Sequence, residues 1–207
     1  MHCLLESVTE LKRDNELHKA NAARLQTELN KANARIAALD SYSRSDNLII
    51  TGLPFITSSE VASVPHDHSV VQATSNQATE RAVLQLCESL HLENPITAAD
   101  ISITHRLKKS NSSSPAPVVV RFTNRKARDA VYSARRLLKD RSDRIFINED
   151  LTKSAAELFH EARKLVKNKK LFSSWTFGGS IFIKTGGAPE DRPRKVTSLD
   201  ELLHHAG

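Results

Sequence analysis

The chain has 207 residues and carries 30 Lys and Arg against 24 Asp and Glu, which gives a net charge of +6. This length is enough for one or two small domains together with a helical segment. The sequence has no run of about 18 apolar residues and no signal-peptide pattern at its start, so it predicts an intracellular protein with no membrane span.

The positive charge is concentrated in one part of the chain. Residues 101–170 hold 18 Lys and Arg but only 7 Asp and Glu, whereas the first 46 residues hold seven of each. A solvated basic surface is the ordinary explanation of such a surplus, but its size over 70 residues favours a polyanionic partner.

The first 46 residues carry apolar side chains at a seven-residue spacing. One heptad core position is occupied by Leu4, Leu11, Leu25, Ala32 and Leu39, and the other by Val8, Ala22, Leu29 and Ile36. No Gly or Pro interrupts this stretch, so it predicts one helix over residues 3–44. A seam with a period of 3.5 residues is buried only against a partner helix, which predicts a homo-oligomer. Asn15 and His18 interrupt the seam at core positions.

A short motif near the end of this helix bears on the number of strands. Residues 35–40 read RIAALD, so that Arg35 and Asp40 flank the two core residues Ile36 and Leu39. The segment resembles the Arg-apolar-x-x-apolar-acid motif of three-stranded coiled coils, with Asp where Glu is usual. We therefore favour a trimer and keep a dimer as the alternative. The predicted oligomerisation residues are Leu4, Val8, Leu11, Leu25, Leu29, Arg35, Ile36, Leu39 and Asp40.

The globular part begins with six elements in the order βαββαβ. NLIITGLP at 47–54 predicts a strand and a turn, 79–92 a helix, 100–107 a strand, 118–123 a strand, 124–139 a basic helix and 144–148 a strand. In the second strand we expect Ile101 and Ile103 to face one way and Ser102 and Thr104 the other. Residues 56–78 show no sustained period and are predicted to be a flexible insert loop. This order is that of ferredoxin-like folds.

A smaller unit is predicted to follow. Residues 151–170 have the apolar stripe of a helix, with Thr152 as its N-cap. Residues 174–177 and 180–184 then predict a hairpin on the Gly178-Gly179 turn, and 199–205 a last helix. The predicted fold class is therefore α+β, with a coiled-coil helix over 1–46, a βαββαβ domain over 47–150 and a small helix-plus-hairpin domain over 151–207.

The two cysteines give no sign of a metal site or a disulfide. Cys3 and Cys87 lie far apart, with no CxxC or Cys/His spacing around them. Cys87 falls in an apolar helical pattern and is predicted to be a small core residue. We expect no metal and no cofactor.

Several segments together resemble a known family. In chain order they are LDSYSRSDNLIITGLP, ISITHRLKK, VVVRFTNRKARDAVYSARRLL, IFINEDLTKSAAELFHEARKLVKNKKLF and SIFIK. They resemble the first open-reading-frame protein of LINE-type non-LTR retrotransposons, and more closely the invertebrate transposon proteins that share the C-terminal domain of the baculovirus FP protein. The resemblance covers roughly residues 30–185.

The resemblance implies a trimeric coiled coil, an RNA-recognition-motif-like domain and a C-terminal domain that closes over single-stranded nucleic acid. In the LINE proteins such an assembly coats the element's RNA and acts as a nucleic-acid chaperone. For this chain we therefore expect single-stranded RNA or DNA as partner, no small-molecule substrate, and a cytoplasmic location with ribonucleoprotein granules or the nucleus as alternatives.

The candidate binding residues are basic side chains spread over the globular part. On the third strand we expect Arg121 to lie on the open sheet face, beside Arg106 of the neighbouring strand. The aromatic signature of RNA-recognition sheets is absent, and only Tyr132, Phe146 or Trp175 would substitute. We expect contacts to phosphates, with little sequence preference, and Trp175 is better explained as a core residue. The candidates are Arg106, Lys108, Lys109, Arg121, Arg125, Lys126, Arg135, Arg136, Arg163, Lys164, Lys167, Lys169 and Lys170.

Two other functions were weighed against nucleic-acid binding. The first is an FP-like protein-interaction or assembly scaffold without direct nucleic-acid binding, in which the helix and the Ser-rich loop matter more than the arginines. The second is an enzyme, for which the sequence offers no paired-Asp polymerase motif, P-loop, zinc-deaminase signature or nucleophile elbow. We expect a protein without catalytic activity.

Overall fold

The structure, a computed structural model, describes residues 2–54, 68–108, 115–139, 141–188 and 190–206. Its contacts divide the chain into two compact units, Met1–Tyr42 and Ser43–Gly207. The helices are α1 (His2–Arg44), α2 (His68–Glu88), α3 (Arg125–Ala134), α4 (Lys153–Lys167) and α5 (Leu199–Ala206). The strands are β1 (Asn47–Thr51), β2 (Ile101–Arg106), β3 (Val118–Phe122), β4 (Phe146–Glu149), β5 (Ser173–Phe177), β6 (Ser180–Lys184) and β7 (Arg194–Val196).

Helix α1 is continuous over the predicted span, and its apolar seam is exposed in the single chain. The exposed large side chains on the seam are Val8, Leu11, Leu25, Leu29, Ile36 and Leu39. The side chain of Leu4 lies outside the described part of the structure. The predicted helix is therefore confirmed, whereas oligomerisation through its seam stays a prediction.

The first four strands form one antiparallel sheet in the order β2–β3–β1–β4. This order follows from the βαββαβ sequence of elements, because each helix returns the chain to a non-neighbouring place in the sheet. One face of the sheet is buried with α2 and α3. Its core includes Leu48 and Ile50 from β1, Val118, Val120 and Phe122 from β3, Val83 and Cys87 from α2, and Val131 from α3.

The core position of Cys87 is confirmed, and burial has a chemical consequence there. Its side chain is 2% exposed. Because a thiolate is poorly solvated in an apolar core, burial raises the pKa of the Cys87 thiol to about 12.

Strand β2 departs from the predicted alternation. Its register against β3 shifts between Ile101 and Ile103, as at a β-bulge. After the shift Thr104 is buried and Ile103 is 49% exposed. The expectation that Ile101 and Ile103 share a face is therefore wrong, because one extra residue in a strand turns all later side chains to the opposite side.

Helix α2 begins well before the predicted helix. It starts at His68, so the predicted flexible loop over 56–78 is wrong for its last eleven residues, while its residues 56–67 lie outside the described part. Thr79 is buried and its hydroxyl donates to the carbonyl of Ser75, one turn earlier in the helix. Extending a helix that is already formed requires much less free energy than nucleating one, so residues with weak helix propensity can become helical at its end.

The rest of the chain forms a second core under a three-stranded sheet. Strands β5, β6 and β7 are antiparallel in that order, and β7 was not predicted. Thr152 caps α4 by accepting from the amide of Ala155 at 3.3 Å, as predicted. The β5–β6 turn uses Gly178 and Gly179 with φ of 58° and 73°, the left-handed pair that a tight hairpin requires. This core contains Leu158, Ala162, Leu171, Ile181, Ile183, Val196 and Leu202.

The predicted α+β fold class is confirmed, with a long N-terminal helix followed by a sheet-containing domain and then a helix with a three-stranded sheet. Among the described residues, no helix combines the length and the apolar character needed to cross a membrane.

Candidate nucleic-acid interface

The face of the four-stranded sheet opposite the helices carries Arg121. In the register of the sheet Arg121 lies between Ile103 of β2 and Asn47 of β1. Its side chain is exposed, and in the described part of the chain it has no hydrogen bond or ion pair. The predicted position of Arg121 on this open face is confirmed. The face comprises Asn47, Ile49, Thr51, Ile103, His105, Val119, Arg121, Phe146 and Asn148.

Arg106 lies on the other side of the sheet. It pairs with Val118 in the register, on the same face as the buried valines, because the bulge in β2 has turned it inward. Its Nη1 donates to the carbonyls of Leu53 and Ala116, each at 3.0 Å, and its Nη2 to that of Pro54 at 2.7 Å. The expectation that Arg106 lies beside Arg121 is therefore wrong. Partial burial also lowers the pKa of this guanidinium.

The four predicted binding residues of the α3 region divide into two pairs. Arg125 contacts Asp46 at 3.2 Å and donates to the hydroxyl of Ser45 at 2.6 Å. Arg135 lies over the Tyr132 ring, with its guanidinium carbon 3.7 Å from the ring centre. The side chains of Lys126 and Arg136 are exposed and have no partner among the described residues. The second pair is therefore better placed to neutralise a phosphate.

The basic residues of α4 and the nearby loops also divide into those whose side chains have a partner and those whose side chains have none. Lys164 pairs with Glu161 at 2.7 Å, and Arg163 lies 5.8 Å from the centre of the Phe159 ring. In the described ranges the exposed side chains of Lys108, Lys167, Lys169 and Lys170 make no hydrogen bond or ion pair. Lys109 lies outside the described residues.

A buried ion pair joins α3 to β4, and its carboxylate also binds the tip of the β5–β6 hairpin. Glu149 is 5% exposed and accepts from Arg128 Nη2 at 2.7 Å, from the Gly178 amide at 2.9 Å and from the Gly179 amide at 3.3 Å. Burial lowers the pKa of the Arg128 guanidinium, but the hydrogen bonds to Glu149 and Asp129 more than offset this and raise it above its ordinary value. The result is a fixed attachment of the hairpin tip to the first sheet.

Sequence reasoning missed this pair, although both residues left a signal. Arg128 stands three and four residues before Val131 and Tyr132, on the buried side of α3. Glu149 follows Ile147 by two residues in β4 and so faces the core. A charged residue at a core position of a helix, matched by an opposite charge at a core position of a strand, is the pattern that indicates such a pair.

The three aromatic residues considered for base stacking have different environments. Tyr132 is buried, and its hydroxyl lies 3.1 Å from Thr176 Oγ1, so its ring is not available to a base. Phe146 is 59% exposed on the open sheet face. Trp175 is half-buried and stacks on Phe182, outside the core of the second sheet. The interpretation of Trp175 as a core residue is therefore wrong.

No family model matches this sequence, and a search of curated proteins found no match. Within the described residues, no group of three or more His, Cys, Asp or Glu is arranged to hold a metal ion.

Proposed function

We propose that this chain is a non-catalytic, oligomeric protein that binds single-stranded RNA or DNA mainly through phosphate contacts. The observation that carries the proposal is a set of exposed cations without partners in the described part of the basic segment. They are Lys108, Arg121, Lys126, Arg136, Lys167, Lys169 and Lys170. Cations that are not engaged by carboxylates are free to replace the counterions of a polyphosphate.

The open sheet face supports binding to phosphates with little sequence preference. RNA-recognition sheets commonly stack bases on aromatic side chains at their centre. On this face the central strands carry the exposed Arg121, the half-buried Ile49 and the buried Val119, and the exposed Phe146 lies on the edge strand. Such a face offers a charge and an apolar surface, with few groups that distinguish one base from another.

The exposed seam of α1 supports an oligomer, for which we propose a trimer and keep a dimer as the alternative. A helix of this length with six large apolar side chains in register is stabilised when those side chains pack against other copies. The basic domains of an oligomer joined through α1 would bind successive stretches of one nucleic-acid strand. The later contacts then form at a high effective concentration, which raises the overall affinity.

The resemblance to LINE first open-reading-frame proteins and to FP-like transposon proteins supports a role as the chaperone of a retrotransposon ribonucleoprotein. That role places the protein in the cytoplasm, in ribonucleoprotein granules or in the nucleus. It needs neither a cofactor nor a catalytic residue.

The test is a titration of the full chain with a fluorescent single-stranded RNA at salt from about 50 to about 200 mM. We expect log Kd to rise linearly with log salt. The variant Arg121→Gln/Lys126→Gln/Arg136→Gln removes up to three phosphate contacts, so it should reduce the salt slope by about 2, given about 0.7 per contact on a single strand.

A control variant removes the same charge elsewhere. Arg13→Gln/Arg24→Gln/Lys31→Gln changes three exposed cations of α1 that lie off its apolar seam, and it should leave the slope within error of the unmodified chain. Absence of binding at the lowest salt would remove the proposal, and the scaffold alternative would then be preferred. An equal loss in both variants would mean that only net charge matters.

A further inference from the structure

The three-stranded sheet has a second face that its core does not use. Ile181, Ile183 and Val196 point to the side packed with α4 and α5 and are nearly fully buried. Because side chains alternate along a strand, their neighbours point to the opposite side. This outer face carries Ser173, Trp175, Phe177, Ser180, Phe182, Lys184 and Lys195.

Two aromatic rings form the centre of the outer face. Trp175 and Phe182 are directly opposite each other in the register, with ring centres 6.0 Å apart and planes inclined by only 16°. Both side chains are half-buried. The Phe177 side chain, two residues further along β5, is 70% exposed. This face of the sheet thus carries three aromatic side chains, of which that of Phe177 is the most exposed.

The two charged residues of the outer face, Lys184 and Lys195, are both positive. The carboxylate of Asp191 lies close enough to Lys184 for the two charges to interact, whereas Lys195 is on the neighbouring strand. Lys195 lies next to Phe182 in the register, so a row of three side chains runs Trp175, Phe182, Lys195 across the sheet. An anionic partner that also presents flat rings fits this row, since the rings stack and the ammonium group neutralises the anion.

We propose that the outer face of β5–β7 is a stacking platform for unpaired nucleobases of a single strand, with Trp175, Phe177 and Phe182 as the base contacts and Lys184 and Lys195 as the phosphate contacts. The inference rests on the proposed function and adds a second kind of contact to it. Stacking on rings tolerates any base, because every base has a π-face. The platform therefore gives affinity for single strands over duplexes, whose bases are already stacked.

The chain carries its own reporter for this contact. Trp175 is the single tryptophan of the sequence, so its fluorescence reports on the platform alone. The full chain is titrated with oligo-dT and with an abasic oligonucleotide of the same length and charge. We expect oligo-dT to quench the tryptophan emission and the abasic strand to bind more weakly with little quenching.

Substitutions at Phe177 separate stacking from simple apolar contact. Phe177→Ala should weaken oligo-dT binding by about 5- to 100-fold without changing the salt slope, because no charge is lost. Phe177→Leu keeps the apolar area but removes the ring, and it should lose most of the same affinity. Leu203→Ala is the control, since it removes a 52% exposed apolar side chain from α5 and should have no effect.

The outcomes distinguish this inference from the function on which it rests. If the unmodified chain binds neither oligo-dT nor the abasic oligonucleotide, the proposed function and the platform are both overturned. If it binds oligo-dT and abasic strands equally, with no quenching and no effect of Phe177→Ala, the platform is overturned while phosphate binding stands. If Phe177→Ala leaves nucleic-acid affinity unchanged but lowers the mass of the oligomer, the face is a contact between protein chains and the inference is wrong.

Discussion

Replacing Glu149 by Gln tests whether the buried pair with Arg128 holds the hairpin to the first sheet. The substitution keeps the shape of the side chain but removes its charge and one of its two acceptor oxygens. In the folded protein those oxygens serve the Arg128 guanidinium at 2.7 Å and the amides of Gly178 and Gly179 at 2.9 and 3.3 Å. At least one of these donors then faces an NH₂ group.

The expected cost follows from what remains around Arg128. Breaking a buried pair by removing one partner costs about 3–5 kcal/mol. Here Asp129 still accepts from Arg128 Nη1 at 2.8 Å, so the guanidinium keeps one counterion. We expect Glu149→Gln to lower the free energy of unfolding by about 2–4 kcal/mol. With a slope of about 2 kcal/mol per molar, this shifts the urea midpoint by about 1–2 M.

The assay is urea unfolding followed by far-ultraviolet circular dichroism and by Trp175 fluorescence. The first signal reports on the whole chain, whereas the second reports on the hairpin. We expect the two transitions to coincide in the unmodified protein and the fluorescence transition to move to lower urea in Glu149→Gln, because the hairpin has lost its attachment.

Glu161→Gln provides the matched control. It makes the same chemical change at an exposed carboxylate whose partner, Lys164, lies one helical turn away, and it should leave the urea midpoint nearly unchanged, because an exposed ion pair contributes little to stability. Equal midpoints for Glu149→Gln and Glu161→Gln would refute the reasoning. Loss of a buried carboxylate that accepts three hydrogen bonds should lower the free energy of unfolding more than loss of an exposed one.

Two further predictions concern the α1 seam and the core. Leu25→Asp places a charge on the seam and should reduce the mass measured by light scattering to the 23.0 kDa of one chain. Leu17→Asp, at a side chain with the same 58% exposure that lies off the seam, should leave the mass unchanged; equal behaviour of the two variants would contradict the heptad assignment. The Cys87 thiol has its pKa raised by burial from 9.0 to about 12. Between these values the unfolded chain releases a proton that the folded chain keeps, so stability present below pH 9 is lost as pH rises, by at most about 1.4 kcal/mol per pH unit. Unfolding of Cys87→Ala in urea from pH 8 to pH 10 should show a smaller decline than the unmodified chain, and parallel declines would show that Cys87 is not buried.

Local patterns predicted most of the elements, because each depends on residues close together in sequence. The pair Gly178-Gly179 predicted the hairpin turn, since few other residues adopt two successive positive φ angles. Thr152 marked the beginning of α4 because a hydroxyl there accepts from the first turn. Cys87 shared a helical face with apolar neighbours and was therefore assigned to the core.

What was missed depends on contacts between distant parts of the chain. The bulge between Ile101 and Ile103 has no marker residue, and its effect on Arg106 appears only once β2 is paired with β3. Glu149 is tolerated in the core only because Arg128 and the hairpin amides meet it there. Trp175 looked like a core residue because its exposure depends on which side of β5 is covered by α4.

The hydrogen bonds of Arg106 bear on how far two neighbouring segments of the chain can vary in length. Its guanidinium joins Leu53 and Pro54, just before residues 55–67, to Ala116, just after residues 109–114. The residues just before the first segment and those just after the second are therefore held by the same guanidinium. Since doubling a connection costs only about 0.6 kcal/mol in closure entropy, insertions or deletions in either segment should leave the strands on both sides of the anchor in place. The length of either segment can thus vary without altering the sheet that carries Arg121.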